Sequence, residues 1–362
     1  MGLVETKSFH FERRVSLFLE KWAKRRKMEC TRQPVAPFRD NVLISHHSPQ
    51  AKRTILLEVH QDTVPVEGMT IDPFAGEVRD GRLFGRGACD VKGGMASMLA
   101  VMDRLNREKP PQAANVILAC TVDEEHTFLG VQELLRRGVQ ADFAICAEPT
   151  NLQIVDTHKG VVRWLIKVPG RACHSSYPQE GVNAIYRMGH LLNVIEQYAD
   201  HLTRLEADPR LGTPTISVGK IQGGVSVNTV PDFCTIEIDR RLLPGEKPED
   251  APLELEKFLI QHPVIDFPFI IEPSWLACPA LKATNNHEVL RRLGSAINSV
   301  TGKHEILAVP FGTDGSSIAE AGIPCVVFGP GDIAQAHTKD EWIELKQVEQ
   351  AAEILYRLCT AD

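Results

Sequence analysis

One short stretch of the sequence, Thr54–Asp62, ends in residues that could bind a metal ion. Its first six residues are mostly apolar or β-branched, which predicts a strand buried on both faces. His60 and Asp62 follow at its carboxyl end, about 7 Å apart along an extended chain. In open α/β sheets, functional residues gather beyond the carboxyl ends of strands. A histidine placed there can ligate a metal while a neighbouring carboxylate orients its ring. A strand end without function has the same pattern, so the pair alone is not decisive.

More acids and a histidine occupy similar positions further along the chain. They are Asp90 in a glycine-rich turn, Glu124 and Glu125 after an apolar run, Glu148 after another, and His337 in a polar loop. Each alone also has an ordinary structural explanation, such as a helix cap or a solvated turn. Together, imidazole and carboxylate groups without a convergent thiolate suit hydrolytic zinc, cobalt or manganese. Five such ligands with one bridging carboxylate would hold two metals roughly 3.5–4 Å apart.

The elements needed to position these residues follow from the periodicity of the sequence. Strands and helices alternate, which predicts an α/β fold with a mostly parallel sheet flanked by helices. The predicted elements are a helix at 9–28, strands at 40–45, 54–59, 115–122 and 141–146, helices at 95–105, 130–137, 287–300 and 345–358, and strands at 305–309 and 325–328.

A different texture begins near residue 160, where Val161–Val168 alternates apolar and polar side chains as in a half-exposed strand. The elements predicted after it are helices at 183–200 and 248–261 and strands at 213–221, 233–242 and 267–271. We therefore predict an α+β domain at 160–274, inserted into a catalytic domain formed by 1–159 and 275–362.

The composition excludes several classes of protein. The 362 residues carry a net charge of −7 without a long basic run, so we expect no nucleic-acid partner. No apolar run reaches membrane-spanning length, so we expect no membrane partner. The start, MGLVETKSFHFERR, lacks the apolar core of a signal peptide, and the nine cysteines are scattered without a C-x-x-C pair. Both features favour a reducing, cytoplasmic location.

Five motifs in fixed order resemble one known family. They are His60-x-Asp62, Gly85-Arg-Gly87-x-x-Asp90-x-Lys92-Gly93, Asp123-Glu124-Glu125, Ala147-Glu148-Pro149 and Gly331…His337. The zinc-dependent aminoacylase and carboxypeptidase family has this arrangement; it includes acetylornithine deacetylase, succinyl-diaminopimelate desuccinylase and the glutamate carboxypeptidases. The resemblance, from about residue 40 to the C-terminus, implies two Zn²⁺ ions, for which Co²⁺ or Mn²⁺ could substitute. It assigns the metal ligands to His60, Asp90, Glu125, Glu148 and His337, with Asp90 bridging. By the same resemblance Glu124 is the general base and Asp62 orients His60.

The inserted domain resembles the lid and dimerisation domain of this family. Gly170–Pro178 matches a motif whose histidine, here His174, stabilises the oxyanion from the partner subunit of a homodimer. Asn228 matches a residue that reaches the substrate, and Arg241 one that grips a substrate carboxylate with its planar fork. The turn formed by Gly312, Thr313 and Asp314 matches a substrate-binding loop. Family members usually begin with a further helix and a short proline-containing segment before the helix placed here at 9–28.

The expected function is a di-zinc amidohydrolase that cleaves the N-acyl amide of an amino acid, as acetylornithine deacetylase does. A metal ion lowers the pKa of water, and Glu124 would take the proton and pass it to the leaving amine. The substrate would be a small N-acyl amino acid or a short peptide. The alternatives are a desuccinylase, a dipeptidase or a carboxypeptidase on the same scaffold, a catalytically silent metal-binding relative, or a purely structural dimer.

Overall fold

The computed structural model describes residues 12–361, so positions 9–11 of the first predicted helix, and most of the N-terminal stretch used to expect a cytoplasmic location, lie outside the described residues. The chain forms two compact units. Unit 1 comprises the residues up to 157, 283–307 and those from 313 onward, and unit 2 comprises 158–282 and 308–312. The predicted inserted domain, 160–274, lies within unit 2; its role as a lid and dimerisation domain stays a prediction.

Within residues 12–361, the helices are α1 (Arg13–Arg25), α2 (Gly93–Glu108), α3 (Leu129–Arg136), α4 (Ala184–Leu202), α5 (Asp250–Gln261), α6 (His287–Thr301), α7 (Asp314–Glu320) and α8 (Leu345–Thr360). The strands are β1 (Glu29–Ala36), β2 (Arg39–His46), β3 (Thr54–His60), β4 (Glu77–Arg79), β5 (Arg82–Phe84), β6 (Asn115–Thr121), β7 (Phe143–Cys146), β8 (Ile154–His158), β9 (Gly160–Pro169), β10 (Thr215–Gly223), β11 (Phe233–Leu242), β12 (Ile270–Ile271), β13 (Leu276–Cys278), β14 (Ile306–Val309), β15 (Cys325–Val327) and β16 (Trp342–Glu344).

The large sheet of unit 1 has the order β1-β2-β6-β3-β7-β15-β8-β14. Its four central strands, β6, β3, β7 and β15, run parallel, while β1 pairs antiparallel with β2, β2 with β6, and β8 with β15. The α/β prediction with a largely parallel sheet centre is confirmed. Parallel strands need both faces covered, which explains why their sequences read as continuous apolar runs.

The core of unit 1 lies between this sheet and its helices. Ile55, Leu57 and Val59 of β3 pack into the main apolar cluster with α2, α6 and α8, and α2 packs directly on α8. Glu58 and His60 alternate with them, as strand geometry requires. Burying each large apolar side chain contributes about 1.5–3 kcal/mol, so this cluster fixes the register of β3 and with it the position of His60.

Unit 2 has an antiparallel sheet of order β10-β11-β9-β12, with β13 also pairing with β9. Its buried residues form a second apolar cluster with α4 and α5 on one face. The other face carries charged side chains, and the register places Arg163 opposite Asp239 and Val161 opposite Arg241. The alternation predicted at 161–168 therefore reflects one helix-covered face and one polar face.

Several elements differ from the sequence expectations. β1 was not predicted because it is polar, half-exposed and contains Pro34, where its pairing with β2 shifts register. A small sheet of order β16-β5-β4 consists of three-residue strands, too short to show a periodicity. The strand expected at 267–271 is reduced to β12 because Pro268 and Pro273 flank it. Among residues 12–361, no helix is both long and apolar enough to cross a membrane.

Candidate metal centre

The carboxyl ends of the four central parallel strands deliver most of the candidate residues. His60 is the last residue of β3, Glu124 and Glu125 follow β6, Glu148 follows β7, and the loop after β15 leads to His337. Adjacent parallel strands end at the same edge of a sheet, so these side chains are brought together by topology. Asp90 comes from the irregular turn Ala88–Lys92 before α2, where the peptide bond between Asp90 and Val91 is cis.

Asp90 lies between two histidines, and each of its oxygens faces a different one. Its Oδ1 is 3.0 Å from Nε2 of His60, and its Oδ2 is 3.2 Å from Nε2 of His337. Nε2 of His337 is also 3.1 Å from the Glu125 carboxylate, and Nε2 of His60 is 3.9 Å from that of Glu148. The structure thus brings all five predicted ligands together, with Asp90 at the centre.

Two overlapping groups in the described part of the chain could each hold a metal ion. One contains His60, Asp90 and Glu125, and the other contains His60, Glu124 and Glu148; within each group the ligand atoms lie within 4.8 Å of one another. The acids are largely buried, whereas the side chain of His337 is 53 % exposed. Nitrogen and oxygen donors at this spacing fit divalent metals of the zinc, cobalt and manganese type.

The predicted orienting residue, Asp62, makes two kinds of contact. On the side of the ring away from Asp90, Nδ1 of His60 lies 3.2 Å from the Asp62 backbone carbonyl oxygen and 3.5 Å from its Oδ1. The same carboxylate accepts the backbone N–H groups of Glu124, at 3.2 Å, and Glu125, at 3.1 Å. Asp62 therefore fixes the His60 ring and the turn that carries both glutamates.

The charges of the cluster also favour a cation. Burial, and then the neighbouring acids, raise the pKa of Glu124 and of Glu148 well above the ordinary range. Burial alone would lower the pKa of His60, but hydrogen bonds to Asp62 and Asp90 raise it well above its usual value. Hydrogen bonds to Asp90 and then Glu125 raise the pKa of His337 to about 10. A divalent metal ion would stabilise this site, because its charge offsets the repulsion among the buried acids that lie beside the two histidines.

Two supporting groups were not found from the sequence. Glu341, fully buried, accepts hydrogen bonds from the turn that carries Asp90. Arg39 forms ion pairs with Glu12 and with Asp123, the residue before Glu124. Neither stands out in the sequence: Glu341 is one of three acids in the segment KDEWIE, and Arg39 is a single charged residue at the start of β2. Their burial, which sets their importance, depends on contacts between distant segments.

In unit 2, His174 and Asn228 lie on two loops that touch each other. The N–H of Ser175 donates to the Asn228 carbonyl at 3.0 Å, and both predicted side chains are exposed. Arg241 lies at the end of β11, on the polar face, where its Nε is 2.6 Å from Asp239. Nε of Arg163 is 2.8 Å from the same carboxylate, so two guanidinium groups share one acid.

The turn predicted to bind substrate divides between the units. Gly312 is half-buried in unit 2. Thr313 and Asp314 are buried in unit 1, where the Thr313 hydroxyl accepts the N–H of Gly315 and caps α7. Asp314 Oδ2 lies 3.2 Å from the hydroxyl of Thr121. Contact of these three residues with a substrate stays a prediction.

Comparisons of the sequence with known proteins show which family the chain resembles. The profile of peptidase family M20/M25/M40 matches residues 56–361. An acetylornithine deacetylase from Myxococcus xanthus is 33 % identical over 326 residues, which cover 87 % of this chain and 82 % of that enzyme. Another from Proteus mirabilis is 31 % identical over 312 residues, covering 84 % of this chain and 78 % of that enzyme.

Solved structures share the fold. An M20 family metallo-carboxypeptidase from Sulfolobus solfataricus superposes with a TM-score of 0.78 at 18 % identity, covering 96 % of this chain and 93 % of that one. A dinuclear metal-binding M20 peptidase from Bacillus subtilis gives 0.69 at 18 % identity, covering 96 % and 92 %. The family profile spans most of the sequence, and two relatives exceed 30 % identity over more than four fifths of it. The chain therefore belongs to peptidase family M20/M25/M40 and is a metal-dependent hydrolase of amide bonds.

Proposed function

We propose that this enzyme removes the acyl group from an N-acylated amino acid, as an acetylornithine deacetylase does, with two metal ions at the centre described above. The observation that carries the proposal is the position of Asp90, whose two oxygens face His60 and His337 separately. A carboxylate shared in this way suits a bridging ligand. The deacetylases from Myxococcus xanthus and Proteus mirabilis support the substrate class, and the dinuclear peptidase from Bacillus subtilis supports the number of metals.

The contacts suggest how the ligands divide. One metal would be held by Asp90, Glu125 and His337, and the other by Asp90, His60 and Glu148. Zinc fits these nitrogen and oxygen donors, with cobalt or manganese as substitutes. When bound, such a metal pair lowers the pKa of water and polarises the amide carbonyl.

Glu124 is proposed as the general base. It belongs to the cluster with His60 and Glu148, and its backbone is fixed by Asp62, so it is pre-positioned without being needed as a ligand. A raised pKa suits a group that must take a proton from water and then release it. Water adds to the amide carbon, the C–N bond breaks, and Glu124 gives its proton to the leaving amine nitrogen. The products are a carboxylic acid and a free amino acid.

The residues of unit 2 are proposed to act on the substrate. His174 would donate to the oxyanion as the carbonyl becomes tetrahedral, and Asn228, on the adjoining loop, would bind the substrate. Arg241 would bind the substrate carboxylate. Its sharing of Asp239 with Arg163 supports this role, because one acid does not neutralise two guanidinium groups.

A homodimer through unit 2 is part of the proposal. Strand β10 pairs with β11 on one side only within the described sheet. A groove of about 520 Å³ lies between β10 and α4. Large apolar side chains are exposed in the same unit, namely Tyr177, Tyr186, Ile221, Val225 and Val227. An open strand edge beside apolar side chains suits a second copy, since two identical edges can pair about a twofold axis.

Hydrolysis of a panel of N-acyl amino acids by the zinc-loaded enzyme tests the proposal, with a chelator-treated sample as control. The panel contains acetylornithine, acetylcitrulline, acetylmethionine, succinyl-diaminopimelate and several dipeptides. We expect metal-dependent release of amine from the acetylated compounds of the panel. Preference for the succinylated compound or for dipeptides would replace the deacetylase proposal with one of those activities. Bound zinc without turnover of any compound would favour the catalytically silent relative.

A further inference from the structure

Glu341 holds the turn that presents Asp90. Its Oε1 accepts the backbone N–H groups of Cys89, at 2.8 Å, and Asp90, at 3.0 Å. Its Oε2 accepts the N–H of Gly87 at 3.0 Å and Nη1 of Arg86 at 2.7 Å. One carboxylate therefore binds four donors from five consecutive residues, and both of its oxygens are occupied.

This arrangement gives Glu341 a role different from that of a ligand. The side chain is fully buried, and a buried carboxylate is costly unless it is paired and hydrogen-bonded, as the Arg86 guanidinium and three N–H groups provide here. Because these donors point towards Glu341, the backbone of the turn is fixed from behind. The Asp90 side chain is then left facing His60 and His337.

Glu341 also links two ligand-bearing segments that are distant in sequence. It follows His337 by four residues, while the turn that it binds carries Asp90. Asp62 has the same relation to the other side of the centre, since it follows His60 by two residues and binds the backbone of Glu124 and Glu125. Each histidine segment thus supplies the carboxylate that holds another ligand-bearing turn.

We propose that Glu341 is a positioning residue of the metal centre: it orients Asp90 for metal binding and ties the Asp90 turn to the His337 segment. This inference rests on the proposed function, in which Asp90 and His337 are metal ligands. Hydrogen-bond partners behind metal ligands typically change metal affinity by about 10–100-fold when they are removed. Replacing Glu341 with glutamine puts an NH₂ group against backbone N–H donors, so one side of the turn loses its acceptor.

The test compares Glu341→Gln with Glu344→Gln, a control three residues later whose carboxylate is partly exposed and lies 3.6 Å from Arg82. Both variants and the wild type are stripped of metal, and Zn²⁺ affinity is measured by competition with a chromophoric chelator. The Co²⁺ absorption spectrum reports the coordination geometry. We expect Glu341→Gln to bind Zn²⁺ about 10–100-fold more weakly and to have an altered Co²⁺ spectrum. Glu344→Gln should match the wild type in both measurements.

The outcomes separate this inference from the proposed function. A wild type that takes up no Zn²⁺ would overturn the proposed function itself. Wild-type affinity and spectrum in Glu341→Gln, with or without a lower melting temperature of the metal-free protein, would show that Glu341 supports only the fold. If Glu341→Gln does not fold, Arg86→Lys keeps the carboxylate and the charge but removes the forked donor. A several-fold loss of Zn²⁺ affinity in that variant supports the inference, and unchanged affinity contradicts it.

Discussion

The metal centre of unit 1 and the predicted substrate residues of unit 2 are built in opposite ways. In unit 1, Asp62 and Glu341 bind the backbone of the turns that carry the proposed ligands, and most of the acids are buried. In unit 2, His174 and Asn228 are exposed on loops held by a few local hydrogen bonds. The first region is held by buried hydrogen bonds between distant segments, whereas the exposed side chains of the second make local ones, His174 with the N–H of Ser176 and Asn228 with the hydroxyl of Ser226.

This difference fits the roles proposed for the two regions. Metal coordination tolerates small errors in ligand position poorly, so the fold must hold the ligands in place before the metal binds. Substrate contacts form and break in every turnover, and loops on a rigid scaffold suit that work. Loss of a residue in unit 1 should therefore affect metal content or chemistry, whereas loss of one in unit 2 should affect turnover or KM with the metals in place.

The largest expected effect tests whether Glu124 belongs to the chemistry and not to the ligand set. Glu124→Gln should lower kcat by about 10²–10⁴-fold, because the proton acceptor is lost. Metal content, measured by atomic emission, should stay at the wild-type value. Glu125→Gln is the matched control and should lose metal affinity, because its carboxylate contacts His337. A Glu124→Gln enzyme that lost its metals, or kept its activity, would remove Glu124 from the role of base.

The next effect concerns His174. His174→Ala should lower kcat by about 10²–10³-fold, the usual result of losing an oxyanion donor, with metal content unchanged. If His174 acts in the partner subunit, mixing His174→Ala with Glu124→Ala subunits should restore part of the activity through hybrid sites. Analytical ultracentrifugation of labelled subunits establishes that exchange has occurred. Proven exchange without recovery would place His174 in its own subunit.

A smaller effect is expected for Arg241. Arg241→Lys keeps the charge but loses the planar fork, so KM should rise by about tenfold while kcat changes little. Lys220→Arg, on the neighbouring strand and paired with Glu237, is a control that should leave KM unchanged. Steady-state kinetics with a substrate bearing a free carboxylate, and with the corresponding amide, separates recognition of the carboxylate from other effects of the substitution. Equal loss for both substrates would argue against carboxylate recognition.

The smallest effect concerns stability and contrasts two buried histidines. Carboxylates raise the pKa of His60, whereas burial lowers the pKa of His158, the last residue of β8, to about 4. The unfolded state therefore binds a proton at His158 first, and this contribution to stability is lost as the pH falls from about 6.5 through 4. The loss amounts to about 3 kcal/mol. Melting curves between pH 7 and 4 should fall less steeply for His158→Asn; parallel curves would exclude His158 as a source of acid sensitivity.

The central strands of the large sheet could be predicted from the sequence because they are buried on both faces. The apolar runs of β3, β6 and β7 lead to His60, Glu124 and Glu148. This pattern can be recognised in each strand by itself, without knowing which strands pair with it. Glu341 could not be found in this way, since its four donors lie about 250 residues away in the chain. Likewise, β1 is polar and its pairing with β2 is visible only once the sheet exists. Long-range burial, which periodicity does not encode, separates what was predicted from what was missed.

The order of the ligands along the chain has a consequence for the protein during its synthesis. His60, Asp90, Glu124, Glu125 and Glu148 all leave the ribosome before the inserted unit, while His337 and Glu341 follow it. A nascent chain of that length therefore contains the first histidine and the acids but lacks the second histidine and the Glu341 carboxylate, which binds the Asp90 turn in the complete chain. The segment that completes the centre also carries β16 and leads into α8, which packs on α2. The proposed ligand set therefore cannot be complete on a ribosome-bound chain until the whole of unit 2 has been synthesised.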